Sequence, residues 1–218
     1  MDHLKKWEKF TGLLAERINL GLPGIDSQLL MAPVHRINDI RSGLLSNDSV
    51  KSSVLILLYP EGELIKTVVI LRPSYSGVHS GQISLPGGKW ETADFDIATT
   101  ALRETYEEIG VHPSEIRLLG QISPLYIPPS NYIVFPFIGI ADKKPEFIKD
   151  PIEVAEIIEI DIAELLNKDT CTSHILTFKD GTSLDVPCYK FGDTVIWGAT
   201  AMILSEFTAL FENNFLPE

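Results

Sequence analysis

Glu104, Glu107 and Glu108 stand at i, i+3 and i+4, a spacing that puts three carboxylates on one face if residues 97–109 form a helix. Like charges at i and i+4 oppose helix formation, and an ordinary surface helix mixes in lysine. Here the nearest cation is Arg103, one residue off the stripe. Such a stripe suits a hard divalent cation. Mg²⁺ takes oxygen ligands and keeps coordination positions for substrate phosphates. Glu104 and Glu108, one turn apart, are the first candidate metal ligands. Glu107 is either a third ligand or the residue that orients an attacking water, because a bridging carboxylate can do both. Arg103 is a candidate catalytic-site residue that pairs with one of these carboxylates and fixes its position.

Just upstream, Leu85-Pro86-Gly87-Gly88-Lys89 carries paired glycines, which let a backbone pass close to a ligand or metal. Gly88 can lend its carbonyl to the same ion. Gly110 ends the predicted helix. Three glutamates alone are more simply read as a solvated acidic face. With Gly87-Gly88 before them, Arg103 beside them and Gly110 after them, a phosphate–metal–carboxylate site is the better reading. Arg72, His79, Gln82 and Ser84 are candidate substrate contacts. Arg72 can grip a phosphate bidentately, and His79 can titrate or ligate. The plain alternatives are a strand-end charge in water and a solvated loop histidine. Glu153 and Glu156 offer a further ligand from a distant loop. Residues 128–132 can line a pocket, with Tyr132 under a base. Asp94 reads as a neighbour of the helix N-cap, and Trp197 and Phe207 read as core.

Other chemistries fail on spacing. Residues 81–89 lack the order of a phosphate-binding P-loop, and Trp90 stands where a hydroxyl should meet Mg²⁺. There is no G-x-S-x-G elbow and no H-E-x-x-H zinc pattern. The formal charge of −12 makes the chain a poor binder of duplex nucleic acid. A phosphorylated small molecule bridged by metal remains compatible with that charge. Cys171 and Cys188 are too few and too far apart for a disulfide framework and read as small apolar residues. No apolar run reaches the roughly 18 residues of a membrane helix, and the first residues lack a signal-peptide core. The expectation is a cytoplasmic protein without a membrane or nucleic-acid partner.

The elements that must position these residues follow from periodicity. Residues 3–19 predict an amphipathic helix, read as a cap on the domain or as a homodimer contact. Residues 25–50 read as irregular. Residues 53–59 and 64–71 predict strands of a hairpin around a turn at 60–63. A short strand is expected near 83–85, a helix at 97–109, and strands near 116–122, 133–140 and 156–160. A helix at 162–166, a hairpin formed by 175–178 and 184–191, and a last helix at 199–211 complete the reading. Strands and helices interleave without strict alternation, which indicates a mixed sheet between helices rather than a doubly wound parallel sheet.

The region from Gly88 to Val111 resembles the Nudix box, G-x5-E-x7-R-E-U-x-E-E-x-G-U with U apolar. Gly88 takes the first glycine, and Asp94 stands in place of the first glutamate. Eight residues rather than seven lead to Arg103-Glu104. Thr105 holds an apolar position, and Glu107-Glu108 and Gly110-Val111 complete the box. These departures look like the variant in the coenzyme A pyrophosphatase branch. Residues 81–88, Arg72 and residues 196–201 are similar to that branch as well, with Leu85 where Phe is usual. The branch usually carries Leu-Arg where this chain has Ser76 and Gly77.

The resemblance implies an α/β (α+β) fold, a Nudix-type α/β/α sandwich with a mixed sheet and a loop–helix–loop catalytic motif. Length and periodicity add the expectation of one domain over 1–218, with an N-terminal helix and extension over 1–50 and a core at about 51–213 holding the box at 88–111; the resemblance covers about residues 25–210. It also implies water attack on a pyrophosphate phosphorus assisted by Mg²⁺ or Mn²⁺. The substrate is then a small nucleotide, with coenzyme A or acyl-coenzyme A first. Ser76 and Gly77 point instead to a broader nucleoside-diphosphate pyrophosphatase acting on ADP-ribose, dinucleotides or damaged nucleotides. A non-catalytic nucleotide-binding module ranks last, because Glu104, Glu107 and Glu108 all survive.

Overall fold

The computed structural model describes residues 2–43, 48–74, 81–177 and 181–211. The N-terminal segment forms α1 (Asp2–Leu20), α2 (Ile25–Leu29), a 3₁₀ turn at Val34–Arg36 and α3 (Ile37–Gly43). Then come β1 (Val50–Glu61), β2 (Leu64–Leu71), β3 (Ile83–Ser84), β4 (Gly87–Lys89) and α4 (Ile97–Ile109). They are followed by β5 (Arg117–Gln121), β6 (Leu125–Ile127), β7 (Tyr132–Ile140), β8 (Glu156–Asp161) and α5 (Ile162–Leu166). The last elements are β9 (Cys171–Thr177), β10 (Ser183–Phe191), β11 (Thr194–Trp197) and α6 (Gly198–Ala209).

β1 is the spine of a mixed sheet ordered β3-β2-β1-β7-β5, with β4, β6 and β8 pairing β1, β7 and β2. It runs parallel to β7, from Val50 opposite Tyr132 to Leu58 opposite Ile140, and antiparallel to β2 and β4. Residues 55–59 are fully buried, as expected of a strand covered on both faces. Their alternation divides the core. Leu55, Leu57 and Tyr59 pack with Ala101 and Ile109 of α4. Ile56 and Leu58 pack with Phe10 and Leu14 of α1 and with Leu204 and Phe207 of α6. Burying each of these aliphatic side chains contributes about 2 kcal/mol. The result is an α/β/α arrangement, beside which β9, β10 and β11 form a small antiparallel sheet.

α6 is fastened to the N-terminal segment through the carboxyl group of Glu206. Glu206 is fully buried. It accepts hydrogen bonds from Gly24 N–H (3.1 Å), Gln28 Nε2 (2.7 Å) and Ser123 N–H (3.2 Å). A buried carboxylate is tolerated because its lone pairs are satisfied.

Several expectations need correction. Residues 25–50 are not irregular, since they hold α2 and α3. β1 extends through Pro60 and Glu61, leaving the tight turn to Gly62 and Glu63. The short strands β4, β6 and β11 carry too few residues for a period-2 signal. Of the two cysteines only Cys188 is buried, while Cys171 is exposed. Among the described residues no helix is long and apolar enough to cross a membrane.

Candidate active site

β4 and α4 meet through glycine. Gly87 pairs with Val54 and Gly88 with Ser53. A Cβ on Gly87 would lie 2.2 Å from the Ser53 carbonyl oxygen, and one on Gly88 would lie 2.5 Å from the Glu104 carboxyl group. Only glycine lets the strand pass this close to both β1 and the helix. α4 starts at Asp96, whose side chain accepts from Thr99 N–H at 2.7 Å. It ends at Gly110, in the left-handed conformation with φ of 77°. Thr105, apolar in the usual box, turns its hydroxyl onto the Ala101 carbonyl at 2.7 Å and so buries without an orphaned donor.

The helix separates its three glutamates. Glu108 is nearly inaccessible, with a side chain 2 % exposed, and accepts from Gly87 N–H at 2.8 Å. Arg72 Nη1 lies 3.8 Å from its other oxygen. Burial nevertheless pushes the Glu108 carboxyl up to about 8, against the lowering effect of Gly87 and Arg72. Burial also raises the Glu104 carboxyl, with Arg103 opposing. Two acids that resist ionising in their own protein are stabilised as anions by an added cation. Glu107 differs, because its side chain is 52 % exposed and bonds Arg103 at 2.8 Å. Glu104 and Glu108 line the cavity described below, and Glu107 does not.

Arg103 organises this face. Nε donates to Asp94 at 2.9 Å, Nη2 to Asp94 at 3.1 Å and to the Lys89 carbonyl at 3.1 Å, and Nη1 to Glu104 and Glu107 at 2.8 Å each. One guanidinium thereby ties together the glycine strand, the loop and the helix. The extra residue before Arg103 is taken up in the turn that brings Asp94 underneath it. Asp94, two residues before the N-cap Asp96, is the bidentate partner of Arg103, buried and also bonded by Glu91 N–H and Thr100 Oγ1. Arg103, first among these contacts, holds its carboxyl down at about 2. Asp94→Ala is expected to cost about 3 kcal/mol at pH 7, because it leaves Arg103 without its buried partner. The wild-type carboxylate stabilises the fold fully above about pH 4 and loses that contribution as pH falls through about 2. Urea unfolding at pH 7 and pH 2 should therefore show the gap narrowing; a gap independent of pH would count against the ion pair.

A third acidic side chain approaches from the loop after β7. Ile148 N–H and Asp150 N–H donate to the Ile109 and Glu108 carbonyls at 2.9 Å, which docks the loop on the end of α4. Asp150 then accepts from Glu153 N–H at 2.9 Å. Glu153 is exposed and lines the cavity beside Glu104 and Glu108. Glu156, by contrast, pairs with Leu71 in β8 and lies outside the cavity lining. No three acidic, His or Cys side chains among the described residues form a ready cation cage. Two carboxylates and the Gly88 carbonyl nonetheless suit Mg²⁺, which commonly takes one or two carboxylates and leaves other positions to water and phosphate.

These groups open into a cavity of about 790 Å³, a size suited to a nucleotide-sized ligand. Ser52, Val54 and Val134 lie on its sheet side, and Trp197, Met202 and Ile203 come from α6 and its approach. Trp197 is therefore a wall residue rather than core, whereas Phe207 is fully buried. Arg72, Gln82, Ser84 and Tyr132 all line the cavity. Arg72 Nε and Ser84 Oγ are buried without a hydrogen-bond partner among the described residues. Unmatched buried donors on a cavity wall are groups a ligand can satisfy. His79 lies outside the described residues. The sequence reading missed Pro33, Arg36 and Ile40, which the N-terminal segment brings to the cavity. Pro33 and the helical spacing of Ile37 and Ile40 were the available signal.

The NUDIX domain family matches residues 50–177. The uncharacterized Nudix hydrolase NudL of Photorhabdus laumondii is 30 % identical over 164 residues, covering 74 % of this chain and 85 % of that protein. Its counterpart from Yersinia pestis is 30 % identical over 188 residues, covering 86 % and 88 %. Among solved structures, a MutT/nudix family protein from Enterococcus faecalis superposes with a TM-score of 0.50 at 18 % identity, covering 78 % of this chain and 66 % of that one, a likeness of fold. With the matched domain spanning the sheet, β4 and the carboxylate helix, the chain belongs to the Nudix family, whose members hydrolyse pyrophosphate bonds with the help of divalent metal ions.

Proposed function

We propose that this chain hydrolyses the pyrophosphate of coenzyme A or acyl-coenzyme A to 4′-phosphopantetheine and adenosine 3′,5′-bisphosphate. Glu104, Glu108 and the Gly88 carbonyl would hold Mg²⁺ or Mn²⁺, which would supply charge stabilisation at the phosphoryl oxygens and a more acidic water. Arg103 holds Glu104 in place. Arg72 and Ser84 face the diphosphate, with Gln82 and Tyr132 along the cavity toward the nucleoside. Glu153 accepts the proton of the attacking water. It is preferred to Glu107 because it lines the cavity and its carboxylate accepts no hydrogen bond among the described residues, whereas Glu107 is engaged by Arg103. The observation that carries the reading is the pair of unmatched donors, Arg72 Nε and Ser84 Oγ, in the same cavity as Glu108. The apolar wall of Trp197, Met202 and Ile203 suits a pantetheine or acyl arm.

Incubation with coenzyme A and Mg²⁺ is expected to release adenosine 3′,5′-bisphosphate in a chelator-sensitive reaction. Ser76 and Gly77 favour a second reading, a broader nucleoside-diphosphate pyrophosphatase. Intact coenzyme A alongside cleaved ADP-ribose or dinucleotides would establish that reading and remove the first.

A further inference from the structure

Arg36 is a cation on the cavity wall without an acid to match. It is half-buried and lines the cavity, and its guanidinium makes no hydrogen bond or ion pair among the described residues. In a chain with 30 acidic against 18 basic residues, such an arginine is conspicuous. The other cavity cations, Arg72 and Lys89, stand at the carboxylate end, where Arg72 approaches Glu108 and the Lys89 carbonyl accepts from Arg103.

Arg36 belongs to a different part of the cavity. Lys89 pairs with Ser52, Ser52 with Val134, and Val134 with Leu125, so the sheet runs from β4 through β1 and β7 to β6. Three strand spacings separate Lys89 from Leu125, about 14 Å. α3, which follows Arg36 directly, packs against β6 rather than against β4 or α4. The segment carrying Arg36 thus reaches the cavity at its β6 edge, away from β4 and the helix of Glu104 and Glu108. An arginine fork at a partly desolvated wall matches the oxygens of a phosphomonoester.

We infer that Arg36 reads a second anionic group, a phosphomonoester on the sugar of a nucleoside whose diphosphate lies at Glu104 and Glu108. The N-terminal segment is then a specificity element. This rests on the proposed nucleotide substrate but not on its being coenzyme A. A 2′- or a 3′-phosphate carries the same chemistry.

The test is calorimetric binding, without turnover, of AMP, adenosine 2′,5′-bisphosphate and adenosine 3′,5′-bisphosphate to the wild type and to Arg36→Ala. The wild type is expected to bind one or both bisphosphates at least tenfold more tightly than AMP. The variant should bind all three within about twofold of one another, since a charge-assisted hydrogen bond is worth roughly tenfold or more. Which bisphosphate wins identifies the sugar position. The Arg36 guanidinium has no hydrogen-bond partner to lose among the described residues, so the variant's melting temperature should be unchanged. Lack of preference in the wild type, absence of binding, or a preference that survives Arg36→Ala overturns the inference. A preference lost in the variant upholds it even if coenzyme A is not cleaved, in which case the proposed substrate alone fails.

Discussion

Glu108→Gln is expected to lower kcat/KM about 10³-fold while making the metal-free protein harder to melt. The first effect follows from removing a charged oxygen from the proposed metal site. Losing about 4 kcal/mol of metal-assisted stabilisation corresponds to that factor. The second follows from burial. The Glu108 carboxyl is raised to about 8 in the fold, so the native state retains a proton that the unfolded chain releases. That difference opposes folding above about pH 4.5, more so as pH rises toward about 8, and is absent in more acid solution. Glutamine keeps an oxygen for Gly87 N–H and has no charge to desolvate. In chelator at pH 7.5 the variant should gain on the order of 2 kcal/mol, a few degrees of melting temperature. At pH 4 the gain should vanish. Added Mg²⁺ should raise the melting temperature of the wild type and not of the variant. Retained turnover would remove Glu108 from the metal site, and a lower melting temperature at pH 7.5 would refute the account from burial.

Gly87→Ala carries the largest expected loss of stability, about 4 kcal/mol, with activity lost as well. Two costs coincide. Gly87 has φ of 152°, a conformation essentially confined to glycine, worth about 1–3 kcal/mol in any other residue. The added carbon would stand 2.2 Å from the Ser53 carbonyl oxygen and 2.6 Å from Val54 Cα, backbone atoms that cannot swing aside. Relief requires β4 to leave β1, which withdraws the Gly87 N–H from Glu108 and the Gly88 carbonyl from the proposed metal site. Gly62→Ala is the control. It shares a positive φ, 64°, but has nothing within 4 Å of the new carbon, so only about 1 kcal/mol is expected. Urea denaturation of both variants measures the difference; similar losses would show that the strand contact is not the cause.

How much of this was legible beforehand depended on the range of the interactions. α4 was readable to the residue because its signals are local, with Asp96 and Gly110 at its ends and a regular apolar face between. β2 was readable for the same reason. β4, three residues long, exists only because β1 is there to pair with it. The stripe of glutamates and the pairing of Glu104 with Glu108 were visible in the spacing, but the exclusion of Glu107 from the cavity lining was not. Whether a carboxylate faces the cavity or solvent is decided by β4 closing over Glu108 and by Arg103 drawing Glu107 aside. The role of Asp94 was missed because its partner lies nine positions on, across a turn. Arg36 was missed because the cavity wall it joins is made by strands nearly a hundred residues away.

The Glu206 clamp joins the two extremes of the described chain, and this has a consequence for how the protein is born. The carboxylates proposed for hydrolysis have all been made by Glu153, but the cavity wall formed by Trp197 to Ile203 emerges from the ribosome about 45–50 residues later, on the order of 2–10 s of synthesis. Until α6 arrives, the segment carrying Arg36 has nothing to anchor it through Glu206. A nascent chain would hold the means of cleavage before the means of selection.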